Sequence, residues 1–456
     1  MIAVIASIAI ALLAGYPSSR LIDPAAPPRT RLAESFLLGI ALCGFSLLAL
    51  SMLGIEWTRV AMLSLIAILG AMAGLLLLRR PPVASIDRPR QGVPALVIEG
   101  LSLLLVTGYT LYATVAPFIE FDFIADWGLK GRVFWISRGI DWTFLEAAWY
   151  RGIHPDYPIL LPLIFDYTAI VGGAWDDRWI GFFYVGLGLS IILILRDLFE
   201  PSGEGQTLAA LSTLALTSAA LTPWLGLADG PLMVYGTAAV LLVRETLMRP
   251  RRGAFLIAAL FLGIGASLKN EGLTLIVALV MGLIAEGRKG WRVIPRVWPA
   301  LVVPLPWLLL RLRHELPTDL ATGSVLDRFV AQVRDLDLLV GALSRYVSGR
   351  ELFWAGMAAG LLLGIGRIFK RERFAMVTVL VQVAFFIGAY LTTPHGVDWH
   401  VRWSWERLAS QVTLILAFVA VANLAPALGR FRGKSGSDPQ TASGDPPEVS
   451  LDPHAS

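Results

Sequence analysis

Residues 60–78 read VAMLSLIAILGAMAGLLLL, an uncharged run closed by Arg79 and Arg80. A helix rises 1.5 Å per residue, so the run reaches about 28 Å, against a bilayer hydrocarbon core of about 30 Å. Apolar residues cover every face of such a helix and leave no polar side for water. Further runs of this character lie on either side. Together they give thirteen candidate spans, at 1–17, 35–53, 60–78, 95–117, 179–195, 206–222, 230–243, 254–268, 272–285, 297–310, 352–366, 374–392 and 408–428. The composition agrees. Of 456 residues, 56% are hydrophobic and only 16% charged, with a mean hydropathy of +0.68, whereas a soluble domain carries about 25% charged residues. The expected fold is an all-α polytopic membrane protein.

Several functional classes fall away at once. The single cysteine, Cys43 inside an apolar run, excludes a disulfide framework and a cysteine-based metal site. A net charge of +4, with no basic stripe interleaved with aromatics, gives no nucleic-acid footprint. No phosphate-binding loop, nucleophile elbow or dinucleotide fingerprint is present. No segment between spans is long enough for a nucleotide-binding domain, so an energy-rich substrate must reach the protein already activated.

The Lys and Arg bias sets the expected orientation. With the N-terminus outside, the segments 18–34, 79–94, 196–205, 244–253, 286–296, 367–373 and 429–456 hold most of the 38 basic residues and are cytoplasmic. The segments 54–59, 118–178, 223–229, 269–271, 311–350 and 393–407 face outward and carry more than half of the 34 acidic ones. The first run lacks a basic leader region and is followed closely by the next, so it reads as a helix rather than a signal peptide. The run 158–173 contains two prolines and Asp166, and reads as a helix lying at the outer membrane surface.

The outward segments hold the candidate chemistry. The first begins PFIEFDFIADWGLKGRVFW, in which Asp122, Asp126 and Lys130 recur every fourth residue and so share one face of a helix. Phe123, Trp127 and Phe134 form a neighbouring apolar stripe, the pattern of an interfacial helix. Glu120, Asp122 and Asp126 fall directly after a span, where a lipid headgroup sits. Next comes His154-Pro155-Asp156-Tyr157-Pro158, whose prolines predict a rigid, extended stretch. Asp229 stands at the mouth of two spans. Lys269 and Glu271 join two spans so short that both residues reach the outer interface or below it, where ionisable groups are costly and usually functional. The last outward loop offers His395, Asp398, His400, Glu406 and Arg407 among three tryptophans. The histidine spacing there fits no zinc pattern, and Arg407 suits a phosphate. Each feature also has a plainer reading, as a solvated rim, an interfacial helix, a loop corner or a snorkelling pair.

Taken together, these segments resemble the GT-C glycosyltransferases, the integral membrane class that includes protein O-mannosyltransferases and lipid A aminoarabinose transferases. The likeness rests on a span followed by the acidic loop from Glu120 to Lys130 and on His154-Pro155-Asp156-Tyr157-Pro158 closing that loop. Ala228-Asp229-Gly230-Pro231, Lys269-Asn270-Glu271-Gly272 and the stretch from His400 to Arg407 are similar to elements of uncharacterised bacterial relatives. It covers most of residues 95–428. The resemblance implies a catalytic core (95–432) with its periplasmic loop at 118–178; a three-helix segment (1–94) precedes that core, and the Pro-, Ser- and Asp-rich composition of 433–456 predicts a disordered cytoplasmic tail.

It further implies a polyprenyl-phosphate-linked sugar donor and a lipid, glycan or protein acceptor; the thirteen expected spans and the Arg-, Ala- and Leu-rich composition suit a bacterial inner membrane with the active face periplasmic. Asp122 would be the general base, with Asp126 as the alternative. Lys269 and Arg407 would neutralise the leaving phosphate, and Asp156, Tyr157 and Asp229 would line the sugar pocket. Glu120, Lys130, His154, Glu271 and His400 complete the expected binding set. A divalent metal ion bridging carboxylate and phosphate stays open. The alternative from another class is a transporter or flippase of lipid-linked sugars. That reading equally wants membrane-embedded Lys269 and Glu271, but not acids gathered on one face, and it usually shows repeat symmetry, which is absent here.

Overall fold

A computed structural model describes residues 2–79, 92–116, 118–150, 153–199, 206–318, 324–334, 336–347 and 351–433. The N-terminal half runs through α1 (Ile2–Ile22), α2 (Pro28–Met52), α3 (Arg59–Leu78) and α4 (Val93–Val115). A π-helical turn at Phe123–Trp127 then leads into α5 (Gly128–Ser137), α6 (Trp142–Glu146), α7 (Leu160–Gly172), α8 (Asp177–Leu198) and α9 (Gln206–Ala220). The second half comprises α10 (Asp229–Met248), α11 (Arg252–Leu268), α12 (Glu271–Ala285), α13 (Arg288–Trp291), α14 (Trp298–Val302) and α15 (Leu305–Arg313). After these come α16 (Val325–Arg334), α17 (Leu336–Val347), α18 (Glu351–Leu363), α19 (Ile365–Arg367), α20 (Arg373–Thr392) and α21 (Val397–Gly433). Every regular element among the described residues is helical.

Eight helices are long and apolar enough to cross a membrane: α1 to α4, α8, α10, the run Ile365–Thr392 and the first part of α21. Of the thirteen expected spans, these eight have full membrane length. The elements α9, α11, α12 and α18 are shorter, at 15, 17, 15 and 13 residues. The run 297–310 is not one helix but two, α14 and α15, parted at Val303 and Pro304. Proline there has no N–H to donate and forces the break. Residues 434–456, most of the expected disordered tail, lie outside the described residues.

Burial sorts the helices by what they face. α10 is buried over nearly its whole length and packs against α8, α11, α12, α20 and α21, so it is the central post of the bundle. α3 and α4 instead expose Val60, Leu75, Leu78, Leu101 and Leu104 along their lengths, as lipid-facing helices do. α1 and α2 cross where Gly15 meets Gly39. A Cβ at Gly39 would stand 1.7 Å from the Ala11 carbonyl oxygen, so only glycine lets the two backbones approach this closely.

α7 departs from its sequence-based reading. It does not lie open on a surface but is packed between α1, α2 and α5, with ten of its thirteen residues buried. Tyr167 donates to the Ser7 carbonyl, and Arg59 caps the far end through the Ile170 carbonyl. The apolar residues lie all round this helix, so it buries every face rather than one.

The ion pairs show how the loops group. Among the described residues, each pair joining two loops unites members of one sequence-derived set. Asp23 pairs with Arg251, Arg29 with Asp197, and Arg244 with Glu372. In the other set Glu56 pairs with Arg138, Asp156 with Arg311, Glu146 with His314, and Asp122 with Arg407. The acid-rich loops thus converge at one end of the bundle and the Arg-rich loops have their own contacts at the other.

Candidate functional site

At the acid-rich end, five charged side chains form an alternating chain: Asp122, Arg407, Asp229, Lys269 and Glu271. Arg407 Nη1 bonds Asp122 Oδ2 and stands 4.0 Å from Asp229 Oδ2. Lys269 Nζ lies 2.8 Å from Asp229 Oδ1 and 2.9 Å from Glu271 Oε1. Gln411, one turn beyond Arg407 on α21, donates to Asp229 Oδ1 at 3.2 Å. The interior members, Asp229 and Lys269, are buried, whereas Asp122 is 39% exposed and Glu271 23%. Buried charges are tolerated only when paired, and here each inner one is held from two sides.

Local structure explains the placement. Asp229 opens α10, so its carboxylate meets the positive end of a helix. Lys269 closes α11 in an extended conformation, and the corner at Asn270 starts α12 with Glu271 in its first turn. Gly226, at φ +83°, carries the loop before Asp229 over the Phe123 ring, where a Cβ would stand 2.6 Å from that ring. This contact seats the first loop beside the head of α10.

The expected face shared by Asp122, Asp126 and Lys130 does not form. The Gly128 amide bonds back to the Phe123 carbonyl, five residues earlier, making a π-turn between Asp122 and α5. Such a widened turn rotates the residues before it away from those after it. Asp122 therefore turns toward Arg407, while Asp126 and Lys130 keep their four-residue pairing at 2.7 Å inside the loop. Both are buried. Tyr150 donates to Asp126 Oδ1 at 2.8 Å, and Lys130 also donates to the His154 carbonyl at 2.8 Å. Burial pushes the Asp126 carboxyl up from its ordinary value, with Lys130 and the Tyr150 hydroxyl pulling it down. Asp126 and Lys130 hold the loop together, and Asp122 stays partly exposed against Arg407.

His154-Pro155-Asp156-Tyr157-Pro158 is likewise not extended. The Tyr157 amide bonds the His154 carbonyl at 3.1 Å, closing a turn with Pro155 in its second position, where the fixed proline φ belongs. His154 takes a positive φ of 40° and stacks on Tyr157, which stacks on Trp127. Tyr157 lies in electrostatic reach of Arg407. Asp156 turns inward to Arg311 of α15 at 3.4 Å, and anchors the loop rather than lining a pocket with Tyr157. Burial pushes its carboxyl up, and Arg311 opposes that.

Glu120 remains at the periphery. Its carbonyl starts the first helical turn, and its side chain makes no ion pair among the described residues. His400 bonds Thr393 at 2.8 Å and packs on Tyr390, one ring removed from the chain of charges. Sequence reasoning misses Gln411, although its four-residue spacing from Arg407 is a legible signal. It misses Gln382 too, which binds Thr274 and the Glu271 carbonyl and so fixes the start of α12. Among the described residues no group of three or more His, Cys, Asp or Glu side chains is placed to hold a metal ion. Asp122, Asp229 and Glu271 each face a cation, so this set does not fit a divalent ion. No family model, curated protein or solved structure matches the chain.

Proposed function

We propose that the protein is a glycosyltransferase that moves a sugar from a polyprenyl-phosphate donor to an acceptor at the outer face of a bacterial inner membrane, with the acid-rich end outward. The observation that carries this reading is the partly exposed Asp122 carboxylate bound to Arg407, with Lys269 further in. A phosphate leaving group needs cations, and an attacking hydroxyl needs a base; both stand together at one end of the bundle.

In the proposed reaction the donor phosphate displaces Asp122 from Arg407. The freed carboxylate takes the acceptor hydroxyl's proton as that oxygen bonds the anomeric carbon. The bond from that carbon to the phosphate oxygen breaks, and the electron pair leaves with the lipid phosphate, held by Arg407 and Lys269. Attack opposite the leaving group inverts the anomeric centre. Tyr157, with His154 and Trp127 stacked behind it, offers an aromatic wall for the sugar. The burial of Asp229 and Lys269 favours the second reading, a flippase, since paired charges inside a bundle also mark transport pathways.

The test is transfer from a panel of labelled polyprenyl-phosphate sugars by the purified protein in liposomes, with a membrane extract as acceptor. Label entering product with the wild type, and not with Asp122→Ala, is the expected result. Transbilayer movement of the donor without transfer supports the flippase instead.

A further inference from the structure

The Arg-rich end of the bundle carries two adjoining grooves of about 400 and 410 Å³. Lys289 and Leu247 line both, so they form one continuous trough between α10, α11, α13 and the approach to α20. One groove gathers Arg252, Arg288, Arg292 and Arg296, and no acid lines it. The other gathers Lys370 and Arg371, with Glu286 as its one acid, and Glu286 is already paired with Arg373. These six cations and Lys289 are exposed and make no ion pair among the described residues. Their floor is apolar, made of Phe255, Val293 and Phe374.

A positive side of a membrane protein needs basic residues in its loops, but it does not need them converged on one apolar-floored trough almost without acids. Like charges this close repel one another unless an anion joins them. The depth of the trough is marked by exposed Trp291 and Trp298 on the same segment, the aromatics of a membrane interface. Below Trp298 the exposed Leu301, Val302 and Leu305 continue into the lipid-facing side of α14 and α15.

We propose that this trough binds the phosphate headgroup of an anionic phospholipid, whose acyl chains descend along Leu301, Val302 and Leu305. The free cations meet the phosphate and the apolar floor meets the glycerol backbone. Basic pockets between spanning helices are suited to such headgroups. This site lies at the opposite end from the proposed catalytic one and does not depend on it.

The test uses the full-length protein, delipidated in a neutral detergent, and follows thermal unfolding as lipid is added. Phosphatidylglycerol is expected to raise the midpoint by several degrees, with phosphatidylcholine and 10 mM inorganic phosphate each giving less than a third of that shift. A triple variant, Arg288→Gln, Arg292→Gln and Arg296→Gln, is expected to lose the preference, and Arg132→Gln with Arg138→Gln at the other end to keep it. Native mass spectrometry of the wild type provides a second measurement that needs no variant: at least threefold more retained phosphatidylglycerol than phosphatidylcholine is expected. Equal shifts with both lipids, equal retention, or a preference that survives the triple variant overturns the proposal. Full protection by inorganic phosphate alone overturns the lipid as its source.

Discussion

Arg407 of the last helix binds Asp122, which lies 285 residues earlier in the chain and opens the first long loop. That contact ties the loop to the core of the bundle and sets the most exposed acid of the site against a cation that also reaches Asp229. While it is so held, the Asp122 carboxylate faces the guanidinium rather than an incoming hydroxyl. In the proposed reaction an entering donor phosphate would take that guanidinium, so that the pair would couple donor binding to release of the Asp122 carboxylate.

Asp122→Asn is expected to fold as the wild type does and to lose transfer by about 10² to 10⁴-fold, the usual contribution of a general base. Circular dichroism and the liposome assay, run on one preparation, check this. Full transfer activity in the folded variant removes Asp122 from the reaction.

Asp126→Asn should show the opposite balance. It leaves Lys130 buried and without its carboxylate, a loss of about 3–5 kcal/mol. Thermal unfolding of the purified variant would then drop well below the wild type. An unchanged midpoint sinks the structural role assigned to Asp126.

The buried Asp229 and Lys269 pair predicts non-additive behaviour. Asp229→Asn or Lys269→Met alone should each cost about 3–5 kcal/mol, while the double variant costs clearly less than their sum. Chemical denaturation of all four proteins gives the coupling energy directly. Additive costs would mean that the two charges do not stabilise one another.

Gly39→Leu drives a side chain into the α1 backbone. Overfilling a packed interface costs about 1–3 kcal/mol, and here the obstacle is a carbonyl that cannot move aside. Yield and thermal midpoint in detergent report it; Gly70→Leu, on lipid-facing α3 with open space around it, is the matched control and should be neutral.

Orientation can be read with single cysteines, because the native Cys43 is buried and gives little background. Glu120→Cys is expected to react with a membrane-impermeant maleimide from the outer side, and Arg292→Cys only after the membrane is opened. The reverse pattern would turn the molecule over and place the acid-rich end in the cytoplasm.

Much of the architecture was legible in the sequence because its signals are local. A run such as 60–78 marks a helix of membrane-spanning length by composition alone, and the sorting of basic and acidic loops predicted which ones meet. The failures are equally specific. The length of α9, α11, α12 and α18 and the break at Pro304 depend on where each helix is stopped, and a hydropathy window averages over such stops. The burial of 158–173 among other helices was not legible because an all-round apolar helix is equally at home inside a protein.

The sequence by itself determined that this is a helical membrane protein whose acidic and basic loops fall into two sets, since hydrophobic length and loop charge act residue by residue. It also marked Lys269 and Glu271 as costly charges near an interface, Asp229 as an acid at the mouth of two spans, and Arg407 as suited to a phosphate. Only the tertiary structure decided that they form one alternating chain with Asp122, that Gln411 joins it, and that Asp126 and Lys130 do not. The reason is geometric: a single π-turn at Phe123–Trp127 rotates two acids four residues apart onto different partners, and the partner of one of them comes from the far end of the chain.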